Sequence, residues 1–225
     1  KLAKTELTAF SHYAILLFLA RMLLPLLGLA YAGVVLYNIL VVSKLPLNLL
    51  YTWHPICANL FIVFATLGMA AAQGIRGKVA LSRATKEPYV TRHAIFNWLA
   101  LFFLAGAAIT IYLNKERNNR PHFTTYHGIS GGLTGAFFVA NVLGGGAMNT
   151  VPSLYKYIKF HRLNGYLIFA AVLAAHGTAV WRGYAGFKTD EYGKYALVGL
   201  LGLMLFVTLS SIKRSLLPGG KTKSS

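Results

Sequence analysis

Apolar residues fall into six runs, each close to the length of a membrane-spanning helix and separated by short polar stretches. The pattern predicts spans over about 22–42, 53–74, 93–113, 126–147, 160–181 and 195–212. A helix needs about 20 apolar residues to cross a bilayer's hydrocarbon core. Pro25 falls near the start of the first run, where a helix tolerates it. The punctuation between runs is specific. Ser43 to Thr52 is a short loop, and Ile75 to Arg92 is a basic one in which Lys86-Glu87-Pro88 is expected to break any helix. Asn114 to Thr125 contains Asn118, Asn119 and Pro121, Asn149 to Pro152 ends the fourth run, and Arg182 to Lys194 precedes the sixth. Residues 1–20, with Lys1, Lys4, Glu6 and His12 among apolar neighbours, are expected to lie along the membrane interface. Residues 213–225 are expected to form a basic, flexible tail. The fold expected is an all-α membrane protein, one six-helix domain over residues 21–212.

Composition sharpens this. The chain is 56% hydrophobic and 12% charged, about half the usual charged fraction, so a soluble globular domain is excluded. The formal charge of +17 would suggest nucleic acid in a soluble protein. Here the cations sit in the loops and termini, so nucleic acid is not an expected partner; membrane lipid is. With six spans, 15 Lys and Arg fall on the side of the termini and seven on the other, alongside three of the five acids. The positive-inside rule then puts both termini on the cytoplasmic, matrix or stromal side of an endomembrane or organellar inner membrane. Cys57 is the only cysteine, which excludes an internal disulfide and an all-cysteine metal site.

The candidate chemistry lies in the histidines. His127 opens the fourth run, with Gly131 and Gly135 one and two turns below it on the same helix face. Glycine is unfavourable inside a helix, so a row of them calls for a close helix neighbour or a broad, flat ligand. Three more runs open on a histidine: His54, His93 and His161. Helix order places His54 and His127 at the outer level and His93 and His161 at the inner level. Two histidine pairs stacked across a membrane suit bis-imidazole ligation of two haem b groups. One turn below the four lie Ala58, Asn97, Gly131 and Gly165, three of them small enough to leave room for a porphyrin. Zinc would ask for further Cys, His or acidic ligands, and the spans contain no acid. A proton relay would place ionisable groups at mid-membrane rather than near the interfaces. One histidine at a helix end reads as an interfacial anchor, whereas four in succession with matching parity read as ligands. His176 follows His161 by fifteen positions, but no other span repeats that spacing, so it reads as a core residue or a support for the ligands.

These residues resemble the cytochrome b561 family, transmembrane ascorbate and ferric reductases, and the short members that carry the core domain alone. The likeness extends from about residue 20 to 212. It is carried by Trp53-His54-Pro55, Arg92-His93, His122 with Tyr126-His127-Gly128, and Phe160-His161 with Gly165-Tyr166. It implies a four-helix haem-binding core in spans two to five and the same histidine pairing. The chain departs from the family in three places. Asn97 stands where a second histidine is frequent, Arg92 with Lys86 further back replaces lysines close to the ligand, and Asn114-Lys115-Glu116 replaces an outer histidine.

The resemblance implies electron transfer from an inner donor, ascorbate or another small anionic reductant, to an outer acceptor, monodehydroascorbate or a ferric chelate. Anionic substrates need cationic contacts. Arg92, Lys86, Lys156 and Lys159 are the inner candidates, and Lys115 and His122, with Arg117 and Arg120 near them, the outer ones. A homodimer, or membership of a larger membrane complex, completes the expected partners. The competing reading is an accessory subunit of a respiratory or photosynthetic complex, prompted by the basic chain and the altered outer motif. A transporter ranks below both, because the spans lack mid-membrane charges and paired helix interruptions.

Overall fold

A computed structural model describes residues 22–76, 83–183 and 190–216. The expected interfacial lead-in (1–20, with His12), the middles of the second and fifth loops, and the expected tail (213–225) from 217 on lie outside the described residues, while 213–216 continue the last helix.

Six helices are long and apolar enough to cross a membrane. They are α1 (Met22–Val42), α2 (Leu50–Arg76), α3 (Arg83–Arg117), α4 (Tyr126–Thr150), α5 (Ile158–Arg182) and α6 (Glu191–Leu216). A 3-10 helix, Pro152–Tyr157, leads into α5. α1 ends in a π-helical turn, Asn38–Val42, closed by Ser43 N donating to the Asn38 carbonyl at 2.7 Å. The loop that follows is tied to the head of α2. Thr52 Oγ1 donates to the Pro46 carbonyl (2.7 Å), and Trp53 Nε1 donates to that of Leu47 (2.9 Å).

Two helix starts differ in instructive ways. Thr125 is the N-cap of α4, its hydroxyl accepting from Gly128 N at 3.0 Å, which fixes Tyr126 as the first helical residue and His127 as the second. α3, by contrast, begins at Arg83 and runs through Pro88, so Lys86-Glu87-Pro88 does not break the helix. Pro88 is the sixth residue of α3 and withholds the one N–H that the Ala84 carbonyl would accept, a local cost that the long helix following it carries. α3 is therefore about 52 Å long by its rise per residue, and both ends project beyond a bilayer's hydrocarbon core.

α2 packs chiefly on α3 and α4 chiefly on α5, with α6 against α5. α1 buries Leu24, Leu27, Tyr31, Val35 and Ile39 at helical spacing. It approaches α2 closely at Gly28, where a Cβ would lie 2.5 Å from Thr66 Oγ1. α6 buries Leu197, Leu201, Met204 and Val207 along one stripe. Large apolar side chains such as Phe102, Phe137 and Phe206 point outward, each more than 60% exposed. A water-soluble protein would not leave so much aromatic surface in water, but a bilayer accepts it.

Candidate functional site: two facing histidine pairs

The two hairpins, α2–α3 and α4–α5, each carry two head-of-span histidines. His54 faces His127 with ring centroids 6.1 Å apart and planes 74° apart. His93 faces His161 at 6.1 Å and 84°. A metal–imidazole bond of about 2 Å on each side of one metal, with about 1.1 Å from nitrogen to ring centre, puts opposed ligands about 6.2 Å apart, centroid to centroid. Both pairs have that separation.

The second ring nitrogen explains how the imidazoles are aimed. His54 Nδ1 donates to the Ala107 carbonyl of α3 (2.9 Å), and His93 Nδ1 donates back to the Gly68 carbonyl of α2 (2.9 Å). His127 Nδ1 donates to the Ala175 carbonyl of α5 (3.1 Å). His161 turns Nδ1 toward Asn141 of α4, but no group meets hydrogen-bond geometry at that buried nitrogen. A carbonyl only accepts, so three rings carry their proton on Nδ1 and keep the lone pair on Nε2. Fixing the tautomer through the far nitrogen is how proteins orient metal-binding histidines.

The three acceptors and the Asn141 position that His161 faces follow one rule. Gly68, Ala107, Asn141 and Ala175 each lie fourteen residues after the histidine of their own helix. Each core helix thus presents a histidine at one level and a backbone carbonyl about 21 Å further along its axis, at the other level. Between the levels the packing is aromatic. Phe61 meets Phe138 edge-on at 5.0 Å, and Phe64 stacks on Phe103 at 5.4 Å.

Space beside the rings is uneven. A Cβ on Gly131 would meet nothing within 4 Å, one on Gly135 only the Leu104 methyls (3.7 Å), and one on Gly165 only Asn141 Nδ2 (3.7 Å). Asn97 does not open space: its amide donates to the His93 carbonyl (2.7 Å) and presses on Gly68, where a Cβ would lie 2.6 Å away. Ala58 contributes its carbonyl, which faces His176 Nε2 at 3.1 Å. Sequence reasoning passed over Gly145, whose missing Cβ would fall 2.8 Å from His161 Cε1, and Thr178, whose hydroxyl is 3.4 Å from His127 Nδ1. Gly145 sits in the run Gly144-Gly145-Gly146, a visible signal.

The candidate substrate residues have local partners. His122 Nε2 is 2.7 Å from Glu116 Oε1, and its ring stacks on Tyr112 at 4.7 Å and 18°. Lys115 Nζ donates to the Pro121 carbonyl at 2.8 Å, which closes the same loop. At the end of the bundle that carries His93 and His161, Arg92 is exposed, with its guanidinium 6.0 Å from the Tyr89 ring, and Lys156 lies over Tyr157 at 5.1 Å. Lys159 is exposed and Lys86 half-buried.

Among the described residues no group of three or more His, Cys, Asp or Glu is placed to hold a metal ion. Two opposed imidazoles are too few for a bare tetrahedral ion. They suit a metal that brings its own equatorial nitrogens, as haem iron does. No curated protein and no solved structure gave a significant match. A model of eukaryotic cytochrome b561 matches residues 53–184, more than half of the chain, from the head of α2 to the end of α5, with all four histidines inside. The chain belongs to the eukaryotic cytochrome b561 family, transmembrane oxidoreductases that carry electrons on haem b.

Proposed function

We propose that the protein holds two haem b groups and carries electrons across the membrane from an inner donor to an outer acceptor. His54 and His127 would hold one haem on the outer side, and His93 and His161 the other on the inner side. The observation that carries this reading is the repeated 6.1 Å opposition of two imidazoles at each level. Gly131, Gly135 and Gly165 support it with room for a flat ring.

Bound haem supplies a one-electron ferric–ferrous couple. The chain's own residues do the rest. Two imidazoles at each site would hold the iron from both sides and leave no position for a small ligand, which favours electron transfer. The Nδ1 hydrogen bonds hold the ring planes, and the aromatic layer keeps water out from between the sites. The distribution of cations supports an orientation with both termini on the cytoplasmic, matrix or stromal side.

The donor of this reading is ascorbate or a similar small anion, drawn to Arg92, Lys86, Lys156 and Lys159 by charge. The acceptor is monodehydroascorbate or a ferric chelate at the loop of Lys115 and His122. Glu116 already faces His122, so an anionic acceptor competes with it there. The test is a titration of the purified protein in proteoliposomes with ascorbate added on the inner side. Reduction of the haem absorbance, with several-fold more ascorbate needed after Arg92→Ala, supports the reading. Failure of ascorbate to reduce either haem removes it as donor. Co-purification with a respiratory or photosynthetic complex, without ascorbate turnover, turns the assignment toward an accessory subunit.

A further inference from the structure

His176 is the fifth histidine of the described spans and has no part in either facing pair. It follows Ala175, whose carbonyl receives the Nδ1–H of His127. Its own Nε2 is 3.1 Å from the Ala58 carbonyl on α2, one turn beyond His54, and its Nδ1 is 2.9 Å from the Val172 carbonyl on α5. Tyr31 of α1, 2% exposed, meets the ring edge-on at 6.0 Å, and Phe61 of α2 lies alongside it at 6.4 Å and 28°. The ring is held from three helices.

Both nitrogens face acceptors, and a neutral imidazole has one N–H. The two contacts differ in how freely they relax. The separation of Nδ1 from Val172 is imposed within one helix by the rotamer. The separation of Nε2 from Ala58 lies between helices and would open if a lone pair met the oxygen there. A maintained 3.1 Å approach therefore indicates a proton on Nε2.

We infer that His176 is a positioning residue for the outer pair: it donates from Nε2 to the Ala58 carbonyl. It thereby sets the spacing between α2, which bears His54, and α5, which aims His127. Consecutive residues of α5 then serve both outer rings, Ala175 through its carbonyl and His176 through its side chain. The inference rests on the outer-ligand reading only for its haem readout.

Two measurements test it. Nitrogen NMR of the full-length, reduced, ¹⁵N-histidine-labelled protein, with the resonance assigned by its loss in His176→Phe, reads the protonation directly. Nε2 protonated is the expected result, and Nε2 bare overturns the inference. Electron paramagnetic resonance and redox titration of His176→Phe and His176→Gln read the consequence, with the two haems assigned through His127→Ala and His93→Ala. In His176→Phe the outer haem's g-values and midpoint should shift while the inner haem's stay in place, and His176→Gln, which keeps a donor, should restore most of the change. No outer shift, an equal shift at both haems, or no rescue by glutamine overturns it. Absence of any outer haem in the wild type would defeat the ligand assignment instead and leave the NMR result standing by itself.

Discussion

His93 donates from Nδ1 to the carbonyl oxygen of Gly68 at 2.9 Å, across the contact between α3 and α2. His54 answers from α2 to Ala107 of α3 at the same distance. Each helix of the hairpin therefore aims the other's imidazole. A shift of α2 along α3 disturbs both levels at once, one ring at each.

Gly68 is confined as well as bonded. A methyl group there would meet Asn97 Nδ2 at 2.6 Å, and that amide is tied to the His93 carbonyl. Gly68→Ala should displace Asn97 and tilt His93, at about 1–3 kcal/mol of overpacking. Thermal unfolding of the haem-loaded protein checks it, with the inner haem released before the outer one.

Neighbouring glycines of α4 should respond in opposite ways. Gly145→Ala drives a Cβ to 2.8 Å from His161 Cε1, against a ring whose Nδ1 has no hydrogen bond to hold it. Gly144→Ala meets nothing within 4 Å and should gain up to about 1 kcal/mol of helix propensity. Haem content by pyridine haemochrome should fall toward one per chain in the first variant and stay at the wild-type value in the second.

The loop between α3 and α4 should matter for turnover and little for stability. The His122–Glu116 pair is largely exposed on its acid, 55% of that side chain being accessible, and such pairs contribute less than about 1 kcal/mol. Glu116→Gln should leave haem content and melting temperature near wild type. It should also lower the concentration of ferric chelate needed for half-maximal reoxidation, by freeing His122. Equal chelate dependence in the two proteins would take His122 out of the acceptor site.

The six spans were legible because a bilayer demands long apolar runs, and their observed ends lie within a few residues of the expected ones, α3 excepted. There the apolar pattern marked the membrane-embedded part, while the helix itself runs ten residues further back, straight through Pro88, at the cost of one backbone hydrogen bond. Helix order alone put His54 with His127 and His93 with His161 at shared levels; that the rings face each other is seen only in the packed helices. What orients those rings did not. The acceptors are backbone carbonyls, which every residue type supplies, so Gly68, Ala107 and Ala175 carry no side-chain signature of the task. Their common spacing of fourteen becomes meaningful only once the helices are seen side by side. Asn97 was expected beside the haem site one turn below His93 and proves to be tied to the His93 carbonyl. The cations at both ends were readable as charge, but the fold of Lys115 onto Pro121 and of His122 onto Glu116 depends on a loop geometry that no pattern announces.

The central claim is that two opposed histidine pairs hold two separate haems. The most direct measurement is haem content with low-temperature electron paramagnetic resonance on the oxidised wild-type protein and on His127→Ala. Two haems per chain and two low-spin signals are predicted for the wild type, with one haem and one signal left after His127→Ala. One haem in the wild type, or loss of both signals in the variant while the protein stays folded, would contradict the account.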